Sequence, residues 1–251
     1  MDSRYTSHCP DRESTESDAA TKGVAGRCRK HHGMRVTSGM VMTSTARLML
    51  MRSGRTEWDL LGRVQGAADL PMAVGGRAAA EAELAKLNSQ KLSWIACAPD
   101  EASRATAELL KTATGARKIE IVPDLGEMAL GLWEGLRYQE LEERFCRAGR
   151  QFMADPCGVL ATDGEGIEEF ADRVRGALGR IAARQKRGAA VGVIVRPIAL
   201  GVSRCILNNV ELGELWAMLN DRPDLEWYQI SKNDPRLVSP PGRPRRSVSA
   251  A

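Results

Sequence analysis

The sequence predicts an α/β fold: a three-layer α/β/α sandwich around a mostly parallel central sheet. Two observations carry this. Apolar runs of strand length recur between residues 46 and 231, and stretches of helical length separate them. The run "AAVGVIV" (189–195) is apolar throughout, as a strand covered on both faces should be.

Taken in order, "RLMLM" (47–51) reads as a short buried strand. "GGRAAAEAELAKLN" (75–88) is rich in helix formers, opens on glycines and ends at Asn88. "LSWIAC" (92–97) is a second strand. "PDEASRATAELLKTATG" (99–115) is a helix closed by Gly115, a residue suited to the left-handed cap. "KIEIV" (118–122) is a third strand, stopped by Pro123-Asp124. Residues 137–152 read as one helix. Residues 166–187 read as another, with Ile167, Phe170, Val174 and Leu178 on one face. The fourth strand is 189–195. Helical stretches near 198–208 and 211–219 follow, and "EWYQI" (226–230) is an edge strand.

Three segments result. Residues 1–45 are polar, lack apolar periodicity and read as a disordered tail. Met34, Met40 and Met42 sit just before the first strand, and each offers an alternative start. Residues 46–231 form the domain. Residues 232–251 read as a basic disordered tail. The net charge of +4 is uneven: 1–45 contributes +2 and 232–251 contributes +4, leaving −2 on the domain. A domain of that charge argues against a nucleic-acid partner. No apolar run approaches the roughly 20 residues of a membrane span. The six cysteines, Cys9, Cys28, Cys97, Cys146, Cys157 and Cys205, form no CxxC pair, which suits a reducing, cytoplasmic setting. Cys9, Cys28, His31 and His32 are too irregularly spaced to argue for zinc. No metal and no cofactor is expected.

In such a sheet, ligands bind beyond the carboxyl ends of the strands. Those ends fall at Arg52-Ser53-Gly54, Cys97-Ala98-Pro99 and Val195-Arg196-Pro197, with "VPDLGEMALGLWEG" after the third strand. Here the chain resembles the histidine phosphatase superfamily in its phosphoglycerate-mutase-like branch. The stretches that carry the resemblance are "LMLMRSGRTEWDLLGRVQGAADLPMAVGGRAAA", "CAPDEASRATAELL", "LGEMALGLWEGLRYQELEERF", "DGEGIEEFADRVRGAL" and "AAVGVIVRPIALGVSRCIL", in the family's order and near its spacing.

The resemblance implies phosphoryl-transfer chemistry, yet the positions that carry it differ. The nucleophilic histidine of the family's Arg-His-Gly motif is Ser53 here. The histidine after the fourth strand is Arg196, followed by Pro197, which removes a backbone N–H. The arginine four residues before the threonine of "TA" is Ala102, and Arg104 lies on another face of that helix. Residues where the family often has Glu and Asn are Arg55 and Asp59. Arg52, Arg63 and Glu127, the last at the family's acid position, are retained. The chain has three histidines, His8, His31 and His32, all in the N-terminal tail.

Three functional expectations follow. One is an inactive, binding or regulatory protein in which Arg52, Arg63 and Arg196 hold an anion or a phosphorylated small molecule; its opposite is a cleft closed by Arg52 on Asp59 or Glu127. Another is an altered phosphomonoesterase or mutase using Ser53, with Glu127 as acid. A third role would lie in the tails, with the domain as scaffold. Cys97 ends a buried strand and reads as packing.

Overall fold

The computed structural model describes residues 45–87, 89–220 and 222–238. The expected tail before residue 45, its histidines and cysteines, and the helix end at Asn88 lie outside them. Thr45 already belongs to the first strand.

The elements are β1 (Thr45–Arg52), α1 (Glu57–Leu60), α2 (Val74–Ala85), β2 (Trp94–Cys97), α3 (Glu101–Thr114), β3 (Ile119–Ile121), α4 (Tyr138–Arg144), α5 (Cys146–Ala154), α6 (Ile167–Ala183), β4 (Ala190–Val195), α7 (Pro197–Asn208), α8 (Leu215–Asn220) and β5 (Leu225–Ser231). The sheet runs β3-β2-β4-β1-β5. Its first four strands are parallel, and β5 is antiparallel beside β1. This is the expected α/β/α sandwich with a mostly parallel sheet.

The pleat of β1 sorts the core into two layers. Met49 and Met51 pack with Ile95 and Ile194 under Leu84 of α2 and Leu110 of α3. Leu48 and Leu50 pack with Val193 under Phe170 and Val174 of α6 and Val202 of α7. β4 is buried at every residue, as its apolar sequence predicted. Asp100 caps α3 by accepting from Ser103 N, and Gly115 ends it in the left-handed region at φ +67°.

Two expectations are corrected. The helix predicted over 137–152 is two, α4 and α5, broken at Phe145. No Pro or Gly stands within three residues of Phe145. Tertiary packing makes it: the Phe145 ring lies 6.0 Å from that of Trp133, and Gly149 sits on the Leu141 carbonyl, 2.9 Å from where a Cβ would be. The domain also continues past 231. Pro235–Leu237 form a 3-10 turn with Leu237 buried. Arg236 donates to the Leu207 and Gln229 carbonyls at 2.6 and 2.7 Å and pairs with Asp234 at 2.7 Å. Polar composition hid a segment held by backbone acceptors. The rest of the expected C-terminal tail, from residue 239, lies outside the described residues.

The edge strand is tied to the interior by Arg204 on α7, which is fully buried. Its Nε pairs with Glu226 Oε2 at 2.9 Å, and its Nη atoms donate to the Met218 and Pro223 carbonyls. Arg204→Met strips the Met218 and Pro223 carbonyls of their donor, while Glu226 keeps Arg222 Nη1 at 3.2 Å and the Tyr228 hydroxyl at 2.7 Å. It is expected to lower unfolding free energy by about 1–3 kcal/mol. Arg77→Ala, in an exposed ion pair with Glu81, should lower it by less than about 1 kcal/mol. Urea unfolding followed by tryptophan fluorescence checks both.

Candidate functional site

Parallel pairing of β1 and β4 puts Arg52 opposite Val195, and Ser53 N donates to Val195 O at 2.8 Å. Ser53 and Arg196, far apart in sequence, therefore leave the sheet side by side. Ser53 is 3 % exposed, and its Oγ has no hydrogen-bond partner among the described residues. Gly54 N donates to Thr106 Oγ1 at 2.8 Å, and that hydroxyl donates to Ala102 O.

The next turn aims a carboxylate into the cleft. Thr56 caps α1: its Oγ1 accepts from Asp59 N, and the Asp59 carboxylate accepts from Thr56 N at 2.8 Å. This reciprocal box turns Asp59 back toward the strand ends. Its Oδ1 lies 3.4 Å from Arg52 Nη2, and its Oδ2 lies 3.3 Å from Arg196 Nη1. Arg196 is 1 % exposed. Its other Nη donates to Gln65 Oε1, which also accepts from Thr56 Oγ1 at 2.6 Å. Gln65 Nε2 donates to Ala68 O. One carboxylate thus serves two guanidinium groups.

Glu127 arrives from the other side. Its Oε2 accepts from Ile198 N at 2.8 Å, and its Oε1 accepts from Ala199 N at 3.0 Å and Met128 N at 2.8 Å. It occupies the amino end of α7, where unpaired N–H groups favour an anion. Pro197 stands in the first turn of that helix, where a missing N–H costs little. Burial pushes the Glu127 carboxyl up to about 7, outweighing these donors and the nearby Arg196 charge.

A cleft of about 170 Å³ opens between Gly66, Asp69, Asp100, Gly126, Glu127 and Arg196. A hollow of about 30 Å³ lies behind it against Asp59, Arg63, Gln65, Glu127, Tyr138 and Arg196. Neither Arg52 nor Ser53 lines either space. Arg63 reaches the hollow with its Nη1 donated to Gly135 O at 2.5 Å. The loop over the cleft is fixed by Glu134, whose Oε1 accepts from Ala67 N and Leu130 N. Gly66, at φ +55°, fits beneath it: a Cβ there would stand 2.3 Å from that same oxygen.

The structure therefore brings Arg52, Ser53, Glu127 and Arg196 to one place, with Arg63 at its rim. Arg104 is turned to Asp69, 4.0 Å away at the surface. Cys97 is buried, and burial together with the Asp100 charge pushes its thiol up to about 12. It is a packing residue, not a thiolate. Among the described residues, no group of three or more His, Cys, Asp or Glu could hold a metal ion, and no helix is long and apolar enough to cross a membrane. Sequence reasoning gave no role to Thr56 or Gln65. The T-x-x-D spacing of Thr56 and Asp59 was the available signal; Gln65 had none beyond its place in "GRVQG".

The chain matches the family described as histidine phosphatase superfamily (branch 1) over residues 48–240. Phosphoserine phosphatase 1 of Hydrogenobacter thermophilus is 26 % identical over 173 residues, covering 68 % of this chain and 80 % of that protein. An adenosylcobalamin/α-ribazole phosphatase of Salmonella typhimurium is 28 % identical over 135 residues, covering 54 % of this chain and 66 % of that one, just under two thirds of its length. Among solved structures, Bacillus stearothermophilus YhfR superposes with a TM-score of 0.63 at 26 % identity, covering 68 % of this chain and 84 % of that one. A mycobacterial glucosyl-3-phosphoglycerate phosphatase superposes at 0.64 with 22 % identity, covering 74 % of this chain and 89 % of that one, which bears on the fold alone. With most of its length matched to the family and the fold shared, the chain belongs to the histidine phosphatase superfamily, branch 1.

Proposed function

We propose that this is a catalytically inactive member of its superfamily, with a binding or regulatory role built on the old cleft. The observation that carries the reading is the pair at the two expected histidine positions. Ser53 is a buried hydroxyl with no hydrogen-bond partner among the described residues, and Arg196 is a buried guanidinium held by Asp59 and Gln65. Phosphohistidine transfer needs an imidazole in line with the phosphorus, and residues 33–251 contain no histidine. A serine nucleophile needs a base, and a guanidinium stays protonated. The ligand class that suits the remaining cations, Arg52, Arg63 and Arg196, is an anion or a phosphorylated small molecule. Several relatives are named as phosphatases, which is consistent with that class. The buried free thiols of Cys97 and Cys205 suit a reducing compartment, and we place the protein in the cytoplasm.

One observation favours an active reading. Glu127, at about 7, can hold a proton at neutral pH, as a general acid for a phosphate-ester leaving group must. In that reading Ser53 Oγ bonds to phosphorus as the ester P–O bond breaks, Glu127 gives its proton to the leaving oxygen, and the Ser53 proton passes to a phosphoryl oxygen of the substrate.

A panel of phosphomonoesters, phosphoglycerates included, separates the two. The full chain is expected to show no saturable release of phosphate, and Ser53→Ala and Arg52→Ala should leave that background unchanged. Saturable turnover abolished by Ser53→Ala with the fold intact would establish the second reading. A pH test addresses Glu127. Unfolded, the carboxyl ionises near 4.5; folded, it keeps its proton to about 7. The stability it contributes is complete below about 4.5 and is lost as pH rises through about 7. Wild type should therefore lose more stability between pH 5 and pH 8 than Glu127→Gln, read from urea midpoints. Equal losses would refute the assignment.

A further inference from the structure

We propose that Asp59 is the resident anion of this cleft: its carboxylate occupies the oxyanion seat between Arg52 and Arg196 and excludes inorganic phosphate from it. The inference rests on the non-catalytic reading above and narrows its ligand class: free phosphate does not displace Asp59, so an anion held by Arg52 and Arg196 in the wild-type protein must bring further contacts that do. Three features support it. Each carboxylate oxygen faces a different guanidinium, Oδ1 towards Arg52 at 3.4 Å and Oδ2 towards Arg196 at 3.3 Å. That is how an oxyanion would bridge the two. The carboxylate is also pinned, because Thr56 N donates to Oδ2 at 2.8 Å as part of the α1 cap. Finally, two buried donors remain unspent. Arg52 Nε and Arg196 Nε have no hydrogen-bond partner among the described residues. A carboxylate has two oxygens and a phosphate four, so phosphate could meet donors that Asp59 leaves unmet.

The same geometry couples two departures from the family pattern. Arginine at 196 adds a permanent cation beside Arg52. Aspartate at 59, where the family often has asparagine, supplies the charge that answers it. Glu127 does the equivalent at the amino end of α7, accepting from Ile198 N and Ala199 N. Two anion-attracting places in the cleft are thus filled by the protein's own carboxylates.

The test is calorimetric titration of the full chain with inorganic phosphate at pH 7.5, which measures binding without turnover. Wild type should give no saturable heat. Asp59→Ala, which removes the charge and vacates the seat, should bind phosphate at least about tenfold more tightly than wild type, a gain of ~1.4 kcal/mol. Asp59→Ala/Arg52→Ala should lose that gain. If Asp59→Ala does not fold, as far-UV circular dichroism would report, Asp59→Ala/Arg196→Met removes the charge pair together and leaves Arg52 uncompensated. That variant should still bind phosphate more tightly than wild type. Wild type binding phosphate as tightly as the Asp59→Ala variant overturns the inference, as does a gain that survives Arg52→Ala or an Asp59→Ala/Arg196→Met protein indifferent to phosphate. Phosphate binding by wild type without ester hydrolysis would overturn this inference and leave the non-catalytic reading standing. Ester hydrolysis would overturn that reading itself.

Discussion

A guanidinium buried at the carboxyl end of a central strand sets the terms for everything around it. Arg196 is 1 % exposed, so its charge is held away from water. A buried charge survives only when paired and hydrogen-bonded. Asp59 gives the countercharge and Gln65 the neutral acceptor. Both come from the β1-to-α2 segment, so the charge just past β4 dictates how that segment must lie. Thr56 joins the two partners by capping α1 on Asp59 and donating to Gln65. A four-residue helix, too short to hold itself, is kept in place by a side chain on another element.

Glu127 solves a related problem with opposite sign. The amino end of α7 presents backbone donors beneath the cleft, and the carboxylate satisfies two of them while accepting a third from Met128. That ties the segment after β3 to the junction of β4 and α7. Burial makes the arrangement dear to the ionised form, hence a carboxyl pushed up to about 7. With Asp69 and Asp100 also on its wall, the cleft carries more acidic lining than a phosphate pocket needs.

Much of the fold was legible because periodicity and caps are local. The strand at 189–195 and the Gly115 cap stand where the pattern places them. The break at Phe145 was not legible, since the ring it packs beside, Trp133, lies twelve residues away in sequence. The continuation to Leu237 was hidden for the same reason: Arg236 is held by the Leu207 and Gln229 carbonyls, and acceptors of that kind leave no trace in composition. In the site, strand-end logic brings Arg52, Ser53, Glu127 and Arg196 together. It could not tell that one aspartate would serve both Arg52 and Arg196, because that depends on a hydrogen-bonded turn and on parallel pairing of strands far apart in sequence. Of the two options for Arg52, the pair with Asp59 is the one formed.

The shared carboxylate also constrains the order in which this site could change over time. Arg52 and Arg196 both lean on Asp59. A lineage that lost Asp59 first would pass through a protein with two neighbouring guanidinium groups and no carboxylate between them. A lineage that lost Arg196 first would keep an ordinary Arg52–Asp59 pair. The two orders connect the same endpoints at unequal cost, because only the second keeps each remaining guanidinium beside a carboxylate at every step.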